Sequence, residues 1–182
     1  LNASEPRTIC FTKRRKPTVL RSDVVSFSGP PTNSNHLGRV LENTLDGIFM
    51  RANHHCYYGN LNNLDQAEVI FEFSSNFPVS EIVTILQPGG TVINHFNNIA
   101  VFTEDSTGQR KLFDTYNEVN YNSKEITFKN SVPVQAKKVV IRSSPIMSSQ
   151  MNFCHLEIYE VISYCYRGIC LSFNIFNDID NY

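Results

Sequence analysis

The sequence has no tryptophan, and charged residues make up only 18% of its 182 residues. Sixteen Lys and Arg side chains oppose seventeen Asp and Glu side chains, so the formal net charge is -1. Without a net basic charge, the chain as a whole has no long-range attraction for nucleic acid or for an anionic membrane. The hydrophobic share of 41% is typical of a folded chain. We therefore expect one globular domain with tails and no nucleic-acid partner.

Motifs of membrane spans and of enzymes are also missing. No stretch approaches the ~18 consecutive apolar residues of a membrane helix, and the first residues show no basic-then-apolar signal pattern. The patterns G-x-S-x-G, H-E-x-x-H, C-x-x-C and the P-loop are absent, and the five histidines lack the spacing of metal ligands. We predict that the chain is not an enzyme and contains no membrane span.

Cysteine is abundant by comparison. The five cysteines are Cys10, Cys56, Cys154, Cys165 and Cys170, which is many for a protein of a reducing compartment. Asn2 begins the tripeptide Asn-Ala-Ser, an acceptor pattern for N-glycosylation. Both features predict an extracellular protein, secreted or at the cell surface, with disulfides and with a glycan on Asn2.

Short runs of β-branched and aromatic residues recur through the middle of the chain and predict strands. Small polar clusters, such as Ser74 to Asn76 and Glu104 to Gly108, are interpreted as the turns between strands. The best helical candidate is a segment of about two turns between Gly38 and Asp46. The predicted strands are 69–73, 82–86, 98–103, 125–128, 138–142 and 156–159.

The strands show the alternation of a sheet with one face in the core. Val69, Phe71 and Phe73 are predicted to point inward, whereas Glu68 and Glu72 are predicted to point outward. A later run repeats the pattern, with Val139 and Ile141 inward and Arg142 outward. The sequence therefore predicts an all-β fold, with turn spacings typical of sandwiches and barrels.

Several segments, in order, resemble the discoidin or coagulation-factor-type C family, which is galactose-binding-like and related to the F-type lectins. Residues 43–47 are similar to the family's Asn-x-x-Asp-Gly turn, and residues 136–142 followed by 153–159 are similar to its closing strands. The similarity spans about residues 16 to 160, although the tryptophan that often stands on the family's central strand is absent. The resemblance implies an antiparallel jelly-roll β-sandwich at 17–160, between a basic N-terminal arm (1–16) and a C-terminal tail (161–182).

The resemblance also implies how some of the cysteines pair. Cys56 and Cys154 fall where family members join the loop region to the last strand, so a disulfide between them is expected. The termini of a sandwich domain are often close together. We therefore expect Cys10 to pair with either Cys165 or Cys170, which leaves one thiol free or available to another chain.

A calcium site is a second feature that the resemblance implies. Asn43 and Asp46 match its turn positions, and Cys154 matches the residue that contributes a carbonyl. The family's glutamate is replaced by His155, and an imidazole is a poor ligand for Ca²⁺, which prefers six to eight oxygens. We therefore expect calcium to stabilise the protein little, and a plain turn at Asp46 is the alternative.

The family binds its ligands on loops at one end of the sandwich. In the F-type lectins a histidine and two arginines hold fucose, but Tyr58, Pro88 and His95 stand in those places here, so fucose specificity is not expected. An alternative is that the tyrosines cap the core while the histidines are solvated. The ligand-binding residues predicted at this end are Arg51, His54, His55, Tyr57, Tyr58 and His95.

These observations favour a non-catalytic recognition module that binds a protein partner or a glycan through its apical loops. We expect it to be part of a larger extracellular protein or complex. Two alternatives remain open: a calcium-dependent carbohydrate-binding lectin, and a carbohydrate-binding accessory module of a larger enzyme.

Overall fold

The structure, a computed structural model, describes residues 17–32, 40–46, 56–85, 98–117, 125–144, 150–160, 162–166 and 169–173. The basic arm, with Asn2 and Cys10, lies outside these ranges. Two short 3-10 helices, Arg21–Asp23 and Leu41–Leu45, precede most of the strands. The strands are β1 Val24–Ser28, β2 Tyr57–Asn60, β3 Ala67–Ile85, β4 Ile99–Glu104, β5 Arg110–Tyr116, β6 Glu125–Ser143, β7 Gln150–Phe153, β8 His155–Tyr159, β9 Ile162–Tyr166 and β10 Ile169–Phe173.

Two strands of 19 residues each, β3 and β6, pair antiparallel and run through both layers of the fold. The first half of β3 lies between β1 and the second half of β6, and β4 and β5 continue that layer. The second half of β3 lies between β8 and the first half of β6. Each long strand therefore supplies inward-facing residues to both halves of the fold.

The polar cluster Ser74 to Asn76 lies within β3, so the turn predicted there is wrong. The strand bends instead of reversing: its pairing with β6 shifts between Glu72 and Phe77, and the three polar residues are exposed. The Lys137 ammonium donates to the Ser74 carbonyl at 2.9 Å and satisfies a backbone group at the bend. Strong β-forming sequence on both sides keeps the strand continuous across a short polar bulge.

Both layers contribute to one hydrophobic core. Val69, Phe71 and Phe73 come from the first half of β3, and Ile82 and Phe128 come from the other layer. All five are at most 1% exposed. Phenylalanine supplies the aromatic volume that tryptophan would otherwise provide, because a core requires total volume and patterning more than one particular residue. The predicted all-β antiparallel sandwich is confirmed.

The outer face of the first layer carries charged side chains, and Glu68, Glu72 and Arg142 point outward there, as the sequence predicts. Arg142 Nη2 lies 2.6 Å from Glu68 Oε1, and Arg110 Nη1 lies 2.9 Å from the same oxygen. Arg110 also contacts Glu104, while Lys138 contacts Glu104 at 3.4 Å and Glu72 at 3.7 Å. We call this surface the charged face; its members are Glu68, Glu72, Glu104, Arg110, Lys138 and Arg142.

The segments outside the main strands also differ from the sequence predictions. The predicted helix between Gly38 and Asp46 is a 3-10 helix limited to Leu41–Leu45. The predicted tail contains an antiparallel hairpin of β9 and β10. Within the described ranges, no helix is long and apolar enough to cross a membrane.

Candidate ligand-binding site

The disulfide Cys56–Cys154, which the resemblance implied, is confirmed and anchors one end of the sandwich. The Cys154 amide donates to the carbonyl of Ile85 at 2.7 Å, so the bridge lies where β3 ends. It joins the start of β2 to the junction of β7 and β8. Four of the predicted binding residues lie outside the described ranges, in the segments before Cys56 and after Ile85: Arg51, His54, His55 and His95.

A small sheet of β2 and β7 extends from this disulfide. Tyr58 is opposite Asn152, and Asn60 is opposite Gln150. Because side chains alternate along a strand, Tyr57 and Gly59 share one face of β2, while Tyr58 and Asn60 share the other. The two predicted tyrosines therefore lie on opposite sides of the sheet.

The structure places Tyr57 in the core. Its side chain is 1% exposed, and its hydroxyl donates to the Pro30 carbonyl at 2.7 Å. Burial raises the pKa of the Tyr57 phenol well above its usual range. A Cβ on Gly59 would come within 2.3 Å of the Tyr57 hydroxyl, so only glycine lets the ring lie across β2. This tyrosine caps the core, as the alternative interpretation of the sequence has it.

Tyr58 lies on the opposite face and is partly exposed. Its hydroxyl donates a hydrogen bond to Gln150 Oε1, which ties the ring to β7. Asn60 Oδ1 accepts from the Asn62 amide at 3.0 Å, which orients that side chain as well. We call this surface the polar platform; its members are Tyr58, Asn60 and Gln150, and Asn152 lies beneath them with 1% exposure.

Sequence reasoning found Tyr58 but missed the rest of the polar platform. Asn60 could have been found from its position two residues after Tyr58, because residues i and i+2 share a face of a strand. Gln150 and Asn152 follow an undescribed segment, 90 or more residues further along the chain. Only the pairing of β2 with β7 brings them beside Tyr58.

Two residues of the calcium site that the family resemblance implied, Asn43 and Asp46, lie in the described part of the turn. Asn43 and Asp46 are close, since the Asp46 amide donates to the Asn43 carbonyl at 3.5 Å. Asp46 supplies one carboxylate, and His155 stands where a second is needed. The His155 Nε2 atom lies 3.3 Å from Glu157 Oε1. Across the described ranges, no group of three or more His, Cys, Asp or Glu side chains could hold a metal ion.

A second polar cluster lies on β8, on the face opposite the core residues Leu156 and Ile158. Glu157 contacts His155, and the Tyr159 hydroxyl donates to Glu157 Oε2 at 2.6 Å. Burial, and then this hydrogen bond, raise the pKa of the Tyr159 phenol above its usual range. All three side chains belong to β8 itself, and the cluster is not part of the polar platform.

Solved structures with a similar fold include lectin domains and carbohydrate-binding modules. The lectin domain of lectinolysin complexed with Lewis b antigen is 16% identical, with a TM-score of 0.64 over 80% of this chain and 99% of that chain. A family 32 carbohydrate-binding module of Clostridium perfringens NanJ, complexed with galactose, is 15% identical, with a TM-score of 0.63 over 79% of this chain and 98% of that chain.

A third similar structure is a chitosan-binding module from a Paenibacillus chitosanase/glucanase, 9% identical, with a TM-score of 0.61 over 80% of this chain and 100% of that chain. No protein-family model matches the sequence, and no curated protein does. The chain therefore has the galactose-binding-like, discoidin-like fold that its sequence resembles, and the likeness is one of fold.

Proposed function

We propose that this chain is a non-catalytic glycan-recognition module of an extracellular protein, binding at the disulfide end of the sandwich. The polar platform forms the described part of the site. The other residues that the family resemblance implied for this site, Arg51, His54, His55 and His95, lie outside the described ranges. The similar solved structures are lectin domains and carbohydrate-binding modules, which supports a recognition module rather than an enzyme.

The observation that carries the proposal is the tether between Tyr58 and Gln150. A partly exposed tyrosine ring offers an apolar face to the C–H groups of a sugar, and neighbouring amides offer donors and acceptors to its hydroxyls. The hydrogen bond to Gln150 fixes the ring before a ligand arrives. Less side-chain entropy is then lost on binding, which favours affinity.

The disulfide supports the proposal in a second way. Cys56 is 0% exposed and Cys154 is 2% exposed, so the bridge is a buried anchor rather than a reactive thiol pair. It ties the start of β2 to the segment that follows β7. A buried cross-link at this end suits an extracellular location and holds the platform in one geometry.

The proposal is tested on a glycan array, followed by calorimetric titration of the best ligand. We expect Tyr58→Ala to weaken binding at least tenfold, or ~1.4 kcal/mol, since the stacking face is lost. Gln150→Ala should weaken it less, because the ring stays but is no longer tethered. Leu112→Ala is the matched control: Leu112 is 58% exposed on β5, away from the platform, and its truncation should leave binding unchanged.

The same array separates the alternatives. Binding that persists in chelator supports the proposed site, while binding that requires millimolar Ca²⁺ indicates the calcium-dependent lectin. If wild-type protein binds no glycan but captures a protein through Tyr58, the ligand class is wrong. Equal affinities of wild type and Tyr58→Ala for an identified glycan would contradict the platform.

A further inference from the structure

The C-terminal hairpin brings two of the five cysteines together. Cys165 of β9 and Cys170 of β10 are direct Cα partners in the antiparallel register, one pair further from the hairpin end than Tyr166 and Ile169. In sequence only four residues separate the two cysteines. Directly opposite residues of paired antiparallel strands lie on the same face of the sheet.

This register meets the backbone requirement for a disulfide. Opposite residues in antiparallel pairs have Cα atoms about 4.5 or about 5.5 Å apart, depending on the hydrogen-bonding position. Disulfides span Cα separations of about 4.4 to 6.8 Å. Either kind of pair can therefore be bridged without moving the strands.

The pairing of the hairpin gives a reason for such a bridge. Among the strands that the structure describes, β9 and β10 pair only with each other. A two-stranded hairpin by itself is marginally stable in water, because it has no third strand against which to pack. A covalent bond between the strands reduces the freedom of the open form and favours the paired one.

We propose that Cys165 and Cys170 form a second disulfide that staples this hairpin. The thiolate of one cysteine attacks the disulfide of a thiol oxidoreductase, forming a mixed disulfide and releasing one oxidoreductase sulfur as a thiolate. The thiolate of the other cysteine then attacks the mixed disulfide, which forms the Cys165–Cys170 bond and releases the second oxidoreductase sulfur. The two protons that the cysteines lose match the two that the oxidoreductase dithiol takes up. This exchange belongs to the oxidising compartment in which extracellular proteins fold. The pairing replaces the sequence-based expectation that one of the two joins Cys10.

The proposal assigns every cysteine of the chain. Cys56 and Cys154 are bonded to each other, and Cys165 and Cys170 form the staple. Of the five cysteines in the sequence, four are then paired and Cys10 is the odd one. The protein carries one thiol per chain, or none if Cys10 is linked to another molecule.

Peptide mapping without reductant tests the staple directly. Trypsin cuts after Arg167, between the two cysteines, and a glutamate-specific protease cuts after Glu160. Together they should release the peptide of residues 161–167 joined to the peptide that begins at Gly168, and reductant should split the pair. A link from either peptide to the one containing Cys10 would overturn the proposal, and so would recovery of both as free thiols.

Counting free thiols in denaturant, on wild type and on matched cysteine variants, gives a second test of the staple. Wild type and the double variant Cys165→Ser/Cys170→Ser should each bind one alkylating group, and each single variant should bind two. Cys10→Ser should bind none. A count of two in Cys10→Ser with a count of one in wild type, or a count of zero in either single variant, would show that Cys10 pairs with a hairpin cysteine. A count of three in wild type would show that the staple does not form.

Discussion

The polar platform and the charged face are both partly exposed, polar surfaces of the same sandwich, but they differ in what they offer a ligand. On the charged face, acids and bases contact one another across neighbouring strands, with Glu68 between two arginines. The platform is made of one aromatic ring and neutral amides. A ligand on the charged face would have to displace ion pairs, whereas a sugar on the platform would meet an apolar ring and hydrogen-bonding groups. This difference supports the proposal that recognition belongs to the platform, and it gives the charged face a structural role.

The geometry of the polar platform depends on the disulfide between Cys56 and Cys154. Replacing both cysteines, in Cys56→Ser/Cys154→Ser, should lower the free energy of unfolding by ~4–5 kcal/mol, because the bridge closes a loop of about one hundred residues. The sequence separation is 98. Urea unfolding followed by fluorescence measures the loss. A change below about 1 kcal/mol would show that the bridge does not constrain the unfolded chain.

Substitutions of the two adjacent tyrosines of β2 should separate an effect on stability from an effect on binding. Tyr57→Ala removes a fully buried ring and should cost ~3–5 kcal/mol of unfolding free energy. Tyr58→Ala should cost ~1 kcal/mol or less, yet it should weaken glycan binding. Urea unfolding and calorimetric titration of both variants check this. If Tyr57→Ala weakened glycan binding while only Tyr58→Ala lowered stability, Tyr57 would be the residue that contacts the ligand.

The smallest change in the free energy of unfolding is expected from a substitution on the charged face. Glu68→Gln breaks the contacts to Arg110 and Arg142, whose side chains are 31% and 29% exposed, so it should cost ~1 kcal/mol or less. The cost should shrink at high salt, which screens exposed charges. Glycan affinity should stay that of wild type. A tenfold loss of affinity in Glu68→Gln would contradict the structural role of this face.

Much of the fold was predictable because strand alternation is a local property. Glu68, Val69, Phe71 and Glu72 alternate in the sequence, and the structure places them on the two faces that the alternation predicts. The length of β3 was not predictable, since the cluster at Ser74 has the composition of a turn. Whether such a cluster forms a turn or a bulge depends on the partner strand, and β6 continues past it.

The structure at the disulfide end of the sandwich was predictable in part. The family resemblance implied the pairing of Cys56 with Cys154, and it named Tyr58 together with residues that lie outside the described ranges. It also named Tyr57 as a binding residue, although strand alternation puts neighbouring residues on opposite faces. Alternation alone tells that only one of the two tyrosines can face the core, but not which one.

The sequence by itself determined the all-β class, the inward and outward residues of the main strands and the lack of enzyme motifs, because these depend on residue type and local spacing. The tertiary structure decided that Tyr57 is buried, that Gln150 tethers Tyr58 and that Cys165 is opposite Cys170. These outcomes depend on strand register and on contacts between distant segments. A shift of one residue in register would reverse the face of every side chain on a strand, and only the packing of the whole core selects the register.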